Sequence, residues 1–208
     1  MIAKDDSKNK LFLSLLVNEK SNLLKSLGFP VYTSTQQNQS GNNFGERISN
    51  AIQQVFELGF KKIIIVGNDC PLLNGVILKK AIHSLQNNEV VIGPDKRGGI
   101  YLLGITKEYF LKQAIENLPW QTTRLALTLK EYCKDLHIAP LVLNALNDIN
   151  ETSDIFFFNN LARTYNAALR FLFDFLQRIR AFYYRLSFVA QELALANMAL
   201  RAPPSICP

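Results

Sequence analysis

The chain has 208 residues, a formal net charge of +6, 48% hydrophobic residues and 19% charged residues. These values are typical of a globular protein with enough apolar residues for a core, and they argue against intrinsic disorder. The modest charge and the sparse arginines also argue against nucleic-acid binding.

The first part of the chain alternates between helical and extended patterns. A first helical pattern ends at Gly28 and Pro30, two residue types that commonly terminate helices. A second, amphipathic helical pattern follows a loop of Gln, Asn, Ser and Gly residues. The predicted elements here are a helix at Leu11–Leu27, a strand at Val31–Thr33, a loop at Gln36–Asn43, a helix at Gly45–Leu58 and a strand at Ile63–Val66.

The alternation continues beyond residue 70, with further helices between the strands. This pattern is typical of an α/β domain whose mostly parallel sheet is covered by helices in three layers. We therefore predict one such domain over residues 1–154. Its remaining predicted elements are a helix at Val76–Leu85, a strand at Glu89–Ile92, helices at Lys107–Leu118 and Thr123–Leu136, and a strand at Ala139–Ala145.

Asp69 comes soon after the apolar run Ile63–Val66, which is typical of a strand buried on both faces. A carboxylate just beyond the C-terminal end of such a strand lies where open α/β sheets bind ligands. Asp69 could hold Mg²⁺ or Mn²⁺ against a phosphorylated substrate, because these ions prefer oxygen ligands. It could equally cap a helix that begins near Asn74, as short polar residues often do.

Three cysteines, Cys70, Cys133 and Cys207, have neither CxxC spacing nor a metal-ligand pattern. We predict that they are reduced thiols of a cytoplasmic protein. Cys70 adjoins Asp69, but neither histidine has a sequence context that suggests a base for it, so a packed thiol is the better interpretation. The start of the chain, MIAKDDSKNK, has no apolar segment, which argues against a signal peptide.

Gly98 and Gly99 lie between two strand-like segments. Paired glycines at such a position allow the backbone to approach a ligand closely. They are also a common signal for a plain hairpin turn, so both interpretations stay open.

Four motifs occur in order: GNDCP at 67–71, GPDKRGGIYLLG at 93–104, PWQT at 119–122 and LNDINETSDI at 146–155. Together they resemble an uncharacterised bacterial family of glycosyltransferase-A-like proteins, relatives of the nucleotide-diphospho-sugar transferases. They are more distantly similar to phospholactate guanylyltransferase and molybdenum cofactor guanylyltransferase. The resemblance implies a metal-dependent glycosyl- or nucleotidyl-transferase that acts on a nucleotide-activated small molecule, with Mg²⁺ or Mn²⁺ as cofactor.

The resemblance also implies the site residues. Asp69 and Asp148 would be the catalytic carboxylates, and Asp69 with Asn150 would hold the metal ion. The residues alone leave alternatives open: Trp120 could be a core residue, and Arg47 could be a solvated helix charge. The candidate substrate-binding residues are Arg47, Asn68, Asp95, Arg97, Gly98, Gly99 and Trp120.

Two features depart from the superfamily pattern. The first 27 residues contain no glycine and no strand-like run, so we expect the initial strand and its phosphate-binding loop to be missing. Arg97 stands where the related pattern has aspartate, and a guanidinium cannot bind a metal ion, although it could pair with a phosphate. Asp95 could substitute for that carboxylate. The alternative function is a non-catalytic relative that keeps the fold as a binding or scaffold protein.

Residues 155–208 differ chemically from the rest, with six arginines, two acidic residues and no lysine. The pattern over Phe156–Leu200 predicts a nearly continuous helix whose apolar residues recur at three-four spacing. Its arginines interrupt any apolar run of about 18 residues, the length needed to span a membrane. We predict a helical appendage that packs on the domain or forms a homodimer, with contact to an anionic membrane surface as the alternative.

Overall fold

The computed structural model describes residues 6–35, 37–149 and 154. The predicted helical appendage at Phe156–Leu200 and the predicted metal ligand Asn150 lie outside the described residues. Apart from Asp154, the described residues belong to one compact unit. Within the described ranges, no helix has the length and apolar character needed to cross a membrane.

The described chain alternates between helices and strands, as the sequence predicts. A short 3₁₀ turn at Lys107–Tyr109 follows the third strand. The elements are α1 (Asp6–Lys25), α2 (Phe44–Glu57), β1 (Lys62–Val66), α3 (Gly75–Asn87), β2 (Val90–Pro94), β3 (Ile100–Thr106), α4 (Lys112–Glu116), α5 (Leu125–Asp135) and β4 (Leu141–Val142).

Local side-chain chemistry sets the starts of two helices. At α2, the Asn43 side chain accepts a hydrogen bond from Glu46 N at 2.9 Å. The Glu46 carboxylate in turn accepts one from Asn42 N at 2.7 Å, a reciprocal arrangement like a capping box. At α3, the Asn74 side chain accepts from the backbone N–H groups of Val76 and Ile77. Asn74 therefore caps α3, and the interpretation of Asp69 as that cap is wrong.

The sheet has the order β1-β3-β2-β4 in the described part of the chain. β3 pairs antiparallel with both β1 and β2, whereas β2 pairs parallel with β4. The prediction of a mostly parallel sheet is therefore wrong, because the sheet is mixed. The reason is the short turn of residues 95–99 between β2 and β3, since so short a link can only return the chain as a hairpin.

Two predictions for individual strands also fail. β1 was expected to be buried on both faces, yet it lies at the edge of the described sheet and its residues Ile63–Val66 are only half-buried. The predicted strand at Val31–Thr33 is irregular chain. Tyr32 and Thr33 are exposed there, so the segment buries too little apolar surface to join the sheet.

The last part of the domain is shorter in its regular elements than predicted. The helix expected at Lys107–Leu118 is divided into the 3₁₀ turn and α4. Phe110, between the two, turns inward and contacts Phe56 at a ring-centroid distance of 5.4 Å. The strand expected at Ala139–Ala145 is reduced to β4, and Pro140, which has no N–H to donate to a sheet, lies directly before it.

Helices cover both faces of the sheet, which confirms a three-layer α/β architecture. One core lies between the sheet and the helices α2 and α5, with Ile52, Ile92 and Leu129 fully buried in it. The other lies between the sheet and α3, with Leu78, Ala81 and Val91 buried and residues of α1 packed against them. The sheet is thus held rigidly, and the ends of its strands open into one cleft.

Candidate active site

Asp69 lies just beyond β1. Gly67 N donates to Tyr101 O at 3.0 Å, which extends the pairing of β1 with β3 up to this point. A Cβ atom on Gly67 would lie only 2.7 Å from Asp69 Oδ1, so a glycine here leaves room for the carboxylate over the strand end. Asp69 is half-buried, and the chain then turns into the loop that leads to α3.

Asp148 is brought to Asp69 by backbone pairing rather than by sequence proximity. Leu146 pairs in parallel with Asp95 at the end of β2, and Lys96 N donates to Leu146 O at 2.9 Å. Three residues later, Ile149 N donates to Asp69 O at 2.8 Å. The segment therefore crosses from the end of β2 to the end of β1 and carries the buried Asp148 between them.

Asp95 has a structural task in the hairpin turn. Its Oδ1 accepts hydrogen bonds from Arg97 N at 2.6 Å and from Gly99 N at 2.9 Å. These bonds close the turn between β2 and β3. One carboxylate oxygen of Asp95 is thus committed to the turn, which weakens the expectation that Asp95 replaces the missing family aspartate.

Burial and neighbouring carboxylates raise the pKa values of Asp69 and Asp148. Burial, and next the charge of Asp69, raise the pKa of Asp148 to about 7. Burial is also the main cause that raises the pKa of Asp69, with the charge of Asp95 acting in the same direction. Asp148 Oδ1 is buried and accepts no hydrogen bond from any described residue. A buried oxygen without a donor is costly, so this atom is suited to a cation or a proton from a ligand.

These carboxylates do not form a complete metal centre by themselves. Among the described residues, no group of three His, Cys, Asp or Glu side chains is arranged to hold an ion. The Asp69 carboxylate, with the Asp148 charge near it, still matches the preference of Mg²⁺ and Mn²⁺ for oxygen ligands, and these ions usually keep several water ligands. The residues present therefore fit such an ion, whereas the shared ligand expected from Asn150 stays a prediction.

A cleft of about 550 Å³ opens along this edge of the sheet. That volume is within the range of small-molecule sites. Asp69 and Asp148 line it, and so do five of the predicted substrate-binding residues: Asn68, Asp95, Arg97, Gly99 and Trp120. Arg47 and Gly98 are not among the lining residues of the described chain.

Gly98 serves the scaffold. Its φ of +94° lies in the left-handed region, and a Cβ atom there would lie 1.9 Å from Thr123 O. Gly98 O accepts a hydrogen bond from Ala126 N at 2.9 Å. The hairpin turn is thereby docked onto the first turn of α5, which places Arg97 and Gly99 at the cleft.

Trp120 combines the two roles that the sequence left open. Its Nε1 donates to Ile115 O at 2.7 Å, and its ring packs against the core beside α2 and α5. The same residue also lines the cleft. Arg47 is half-buried on α2, where its Nε donates to no acceptor among the described residues.

Lys20 is a residue of this region that sequence reasoning missed. Its side chain is 9% exposed, and its Nζ donates to Cys70 O at 2.8 Å and to Leu73 O at 3.3 Å. Burial lowers the pKa of Lys20, while the charges of Asp69 and Asp148 oppose that shift. A signal was present in the sequence, because Lys20 interrupts the apolar i, i+4 row formed by Leu16 and Leu24.

Replacing Lys20 by Met should destabilise the protein by about 1–3 kcal/mol, because two buried carbonyl groups of the Cys70–Leu73 loop would lose their donor. Lys25→Met is the matched control, since Lys25 is an exposed residue of the same helix and should change stability by less than about 0.5 kcal/mol. Urea unfolding of both variants measures the difference. Equal midpoints would show that Lys20 does not hold this loop.

Cys70 fits the interpretation of a packed thiol. It is fully buried, and its Sγ donates to Asn147 O at 3.7 Å. Burial raises the pKa of the Cys70 thiol above its ordinary value, with the charge of Asp148 acting in the same direction. A thiol held in its protonated form is a poor nucleophile.

The fold is similar to that of a protein from Desulfovibrio desulfuricans G20 whose description assigns it provisionally to the nucleotide-diphospho-sugar transferases. The TM-score is 0.72 at 21% sequence identity, and the match covers 83% of this chain and 86% of that chain. At this identity the likeness shows the fold alone.

No curated protein matches the chain significantly. The distant similarity to the two guanylyltransferases therefore stays a prediction. A family profile, in contrast, matches residues 17–122, just over half of the chain and three of its four motifs. The chain therefore belongs to the bacterial family described as "uncharacterized protein conserved in bacteria (DUF2064)".

Proposed function

We propose that the protein is a metal-dependent glycosyl- or nucleotidyl-transferase that acts on a nucleotide-activated small molecule. One observation carries the proposal: Asp69 and Asp148 meet at the wall of one cleft, where the buried Asp148 Oδ1 lacks a hydrogen-bond partner among the described residues. Buried carboxylates with raised pKa values are costly to keep, and they concentrate at functional sites.

In this proposal, Asp69 holds Mg²⁺ or Mn²⁺, together with Asn150 and water. When bound, the cation would neutralise charge on the leaving phosphate. Hard oxygen ligands suit either ion. Gly67 leaves the space that the Asp69 carboxylate occupies, and the Ile149 N–H bond to Asp69 O anchors the backbone at this point.

Asp148 has the role of general base. Burial raises the pKa of Asp148 to about 7 in the cation-free protein. A cation on Asp69 would lower that pKa, so Asp148 would be ionised and able to accept a proton at neutral pH. As the acceptor hydroxyl attacks, its oxygen would bond to the sugar carbon or to the phosphorus of the donor, and its proton would pass to an Asp148 oxygen. The bond from that carbon or phosphorus to the nucleoside diphosphate or diphosphate would break, and this group would leave. Arg97, which lines the cleft, would pair with a phosphate of the donor.

The fold similarity supports this class of function. The Desulfovibrio protein with the same fold is described as belonging to the nucleotide-diphospho-sugar transferases. The resemblance carried by the four motifs also implies a metal-assisted transfer that uses Asp69, Asn150 and the glycine turn. The acceptor and the activating nucleotide are not specified by these features.

Manganese binding followed by electron paramagnetic resonance tests the proposal. The full-length protein should bind one Mn²⁺, and Asp69→Asn should weaken that binding by roughly 100-fold, at least as much as the loss of an outer-shell partner. Asp135→Asn, an exposed carboxylate on α5, is the control and should bind normally. Absence of Mn²⁺ binding, or equal binding by Asp69→Asn, would contradict the proposal.

A second candidate is a non-catalytic relative that binds a ligand in the same cleft. The specific observation in its favour is that Asp95 Oδ1 accepts hydrogen bonds within the hairpin turn, while Arg97 stands where the related pattern has a carboxylate. Calorimetry with a panel of nucleoside diphosphate sugars and Mn²⁺, followed by a product assay, separates the two. Binding without release of nucleotide or diphosphate would favour this candidate.

A further inference from the structure

We infer that Phe44, Trp120 and Gln121 form a ring-binding surface in the cleft, which takes a ring of the substrate and hydrogen-bonds its polar edge. The inference rests on the proposed function, since it describes a second part of the same cleft. The ring could be the base of the activating nucleotide or a sugar ring. Both have faces that pack on aromatic side chains and edges that carry donors and acceptors.

The aromatic part of this surface is firmly built. The Phe44 and Trp120 rings lie 5.7 Å apart between centroids and are tilted by 57°. Trp120 is fixed by its hydrogen bond to Ile115 O. A Cβ on Gly45 would lie 2.1 Å from Glu116 O, so the glycine lets α2 lie close to α4 and brings Phe44 to Trp120.

Phe44 contacts Trp120 from the start of α2, yet its side chain is partly exposed to solvent. It is 40% exposed and lines the cleft. A large aromatic side chain that is held in place and turned partly to solvent within a cleft has a ring face available for a ligand. Stacking of bases on such side chains contributes strongly to affinity in other proteins.

Gln121 supplies the polar part and has an unusual backbone. Its φ is +61°, in the left-handed region that residues with side chains rarely adopt. The other non-glycine residue of the described chain with positive φ is His137 at +58°, which directly follows the C-terminus of α5, where this conformation is common. Gln121 ends no helix, and its exposed side chain lines the cleft.

Strain of this kind persists where the surroundings require it, and it concentrates at ligand sites. The Gln121 amide has both a donor and an acceptor, so it can pair with the edge of a base or with sugar hydroxyls. The same cleft carries the Asp69 and Asp148 carboxylates. Its lining therefore suits a substrate with a ring in one part and a cation-bound phosphate in another.

Trp120 is the single tryptophan of the chain, so its fluorescence reports on this surface directly. The full-length protein is titrated without divalent cations, first with uridine, guanosine and adenosine, then with methyl glucoside and methyl mannoside. We expect a saturable change with at least one class. Nucleosides alone would assign the ring to the base, and glycosides alone would assign it to the sugar.

Two variants and one control make the test specific. Phe44→Ala should weaken binding by about 10-fold because the stacking face is lost. Gln121→Gly should weaken binding severalfold yet raise the melting temperature, because glycine adopts positive φ without strain. Leu58→Ala, an exposed residue at the other end of α2, should bind like the parent protein.

No saturable change with either class would overturn the inference, as would unchanged affinity in both Phe44→Ala and Gln121→Gly. The measurement is made without a cation, so its outcome is independent of the Mn²⁺ experiment. Absence of Mn²⁺ binding with intact ring binding would contradict the proposed transferase and support the ring-binding surface. Mn²⁺ binding without ring binding would contradict the ring-binding surface alone.

Discussion

Asp148→Asn should stabilise the cation-free protein by about 4 kcal/mol at pH 8 and by almost nothing near pH 4. The pKa of Asp148 in the folded protein is about 7, raised from 3.8, mainly by burial. Between these values the folded protein keeps a proton that the unfolded chain releases. Stability of the parent protein therefore falls as pH rises from about 4 to 7, and the full penalty persists above that range. An asparagine carries no such penalty.

Urea unfolding in the presence of a chelator, at several pH values between 4 and 8, measures this difference. Glu131→Gln is the matched control, because Glu131 is an exposed carboxylate on α5 and its removal should leave the pH profile unchanged. Added Mn²⁺ should stabilise the parent protein more than Asp148→Asn. If the free energy of unfolding varies with pH in the same way for the parent protein and Asp148→Asn, ionisation of Asp148 does not destabilise the folded protein.

Gly98→Ala should destabilise the domain by at least about 3 kcal/mol, placing it among the most damaging single substitutions. Two effects add at this position. The φ of +94° is unfavourable for alanine, and the new Cβ would lie 1.9 Å from Thr123 O, a backbone atom that cannot move without shifting the start of α5. The damage should reach the cleft, because the hairpin turn carries Arg97 and Gly99.

Gly59→Ala separates the two effects. Gly59 has nearly the same φ, +96°, but nothing lies within 4 Å of a Cβ added there. We expect a loss of only about 1–2 kcal/mol, the cost of the left-handed conformation alone. Thermal or urea unfolding of both variants gives the difference. If both substitutions lower the free energy of unfolding by the same amount, the contact of the turn with α5 does not require glycine at residue 98.

The two residues illustrate different relations between site and scaffold. Gly98 contributes to the cleft through packing, and its replacement should damage fold and site together. Asp148 contributes through charge, and its replacement should improve the fold while removing the proposed base. Opposite signs of the stability changes would therefore distinguish a scaffold residue from one kept at a cost for function.

The sequence by itself determined most of the local elements and the class of the fold. The amphipathic pattern of α2 depends on residues within a few positions of one another, so it can be read directly. The glycine after β1 and the carboxylate at Asp69 are likewise identified from the few residues around them. The four ordered motifs were sufficient to reach the family and its fold.

Only the tertiary structure decided how distant segments meet. Sequence patterns did not show that β3 lies antiparallel between β1 and β2. They also did not show that Leu146 pairs with Asp95, which brings Asp148 close to Asp69. The hydrogen bond from Lys20 to the carbonyl of Cys70 was equally hidden. Each of these contacts joins residues that are remote in sequence. A periodicity shows which side of an element is apolar, but strand order, burial of a charge and approach of a turn to a helix depend on how all elements pack together.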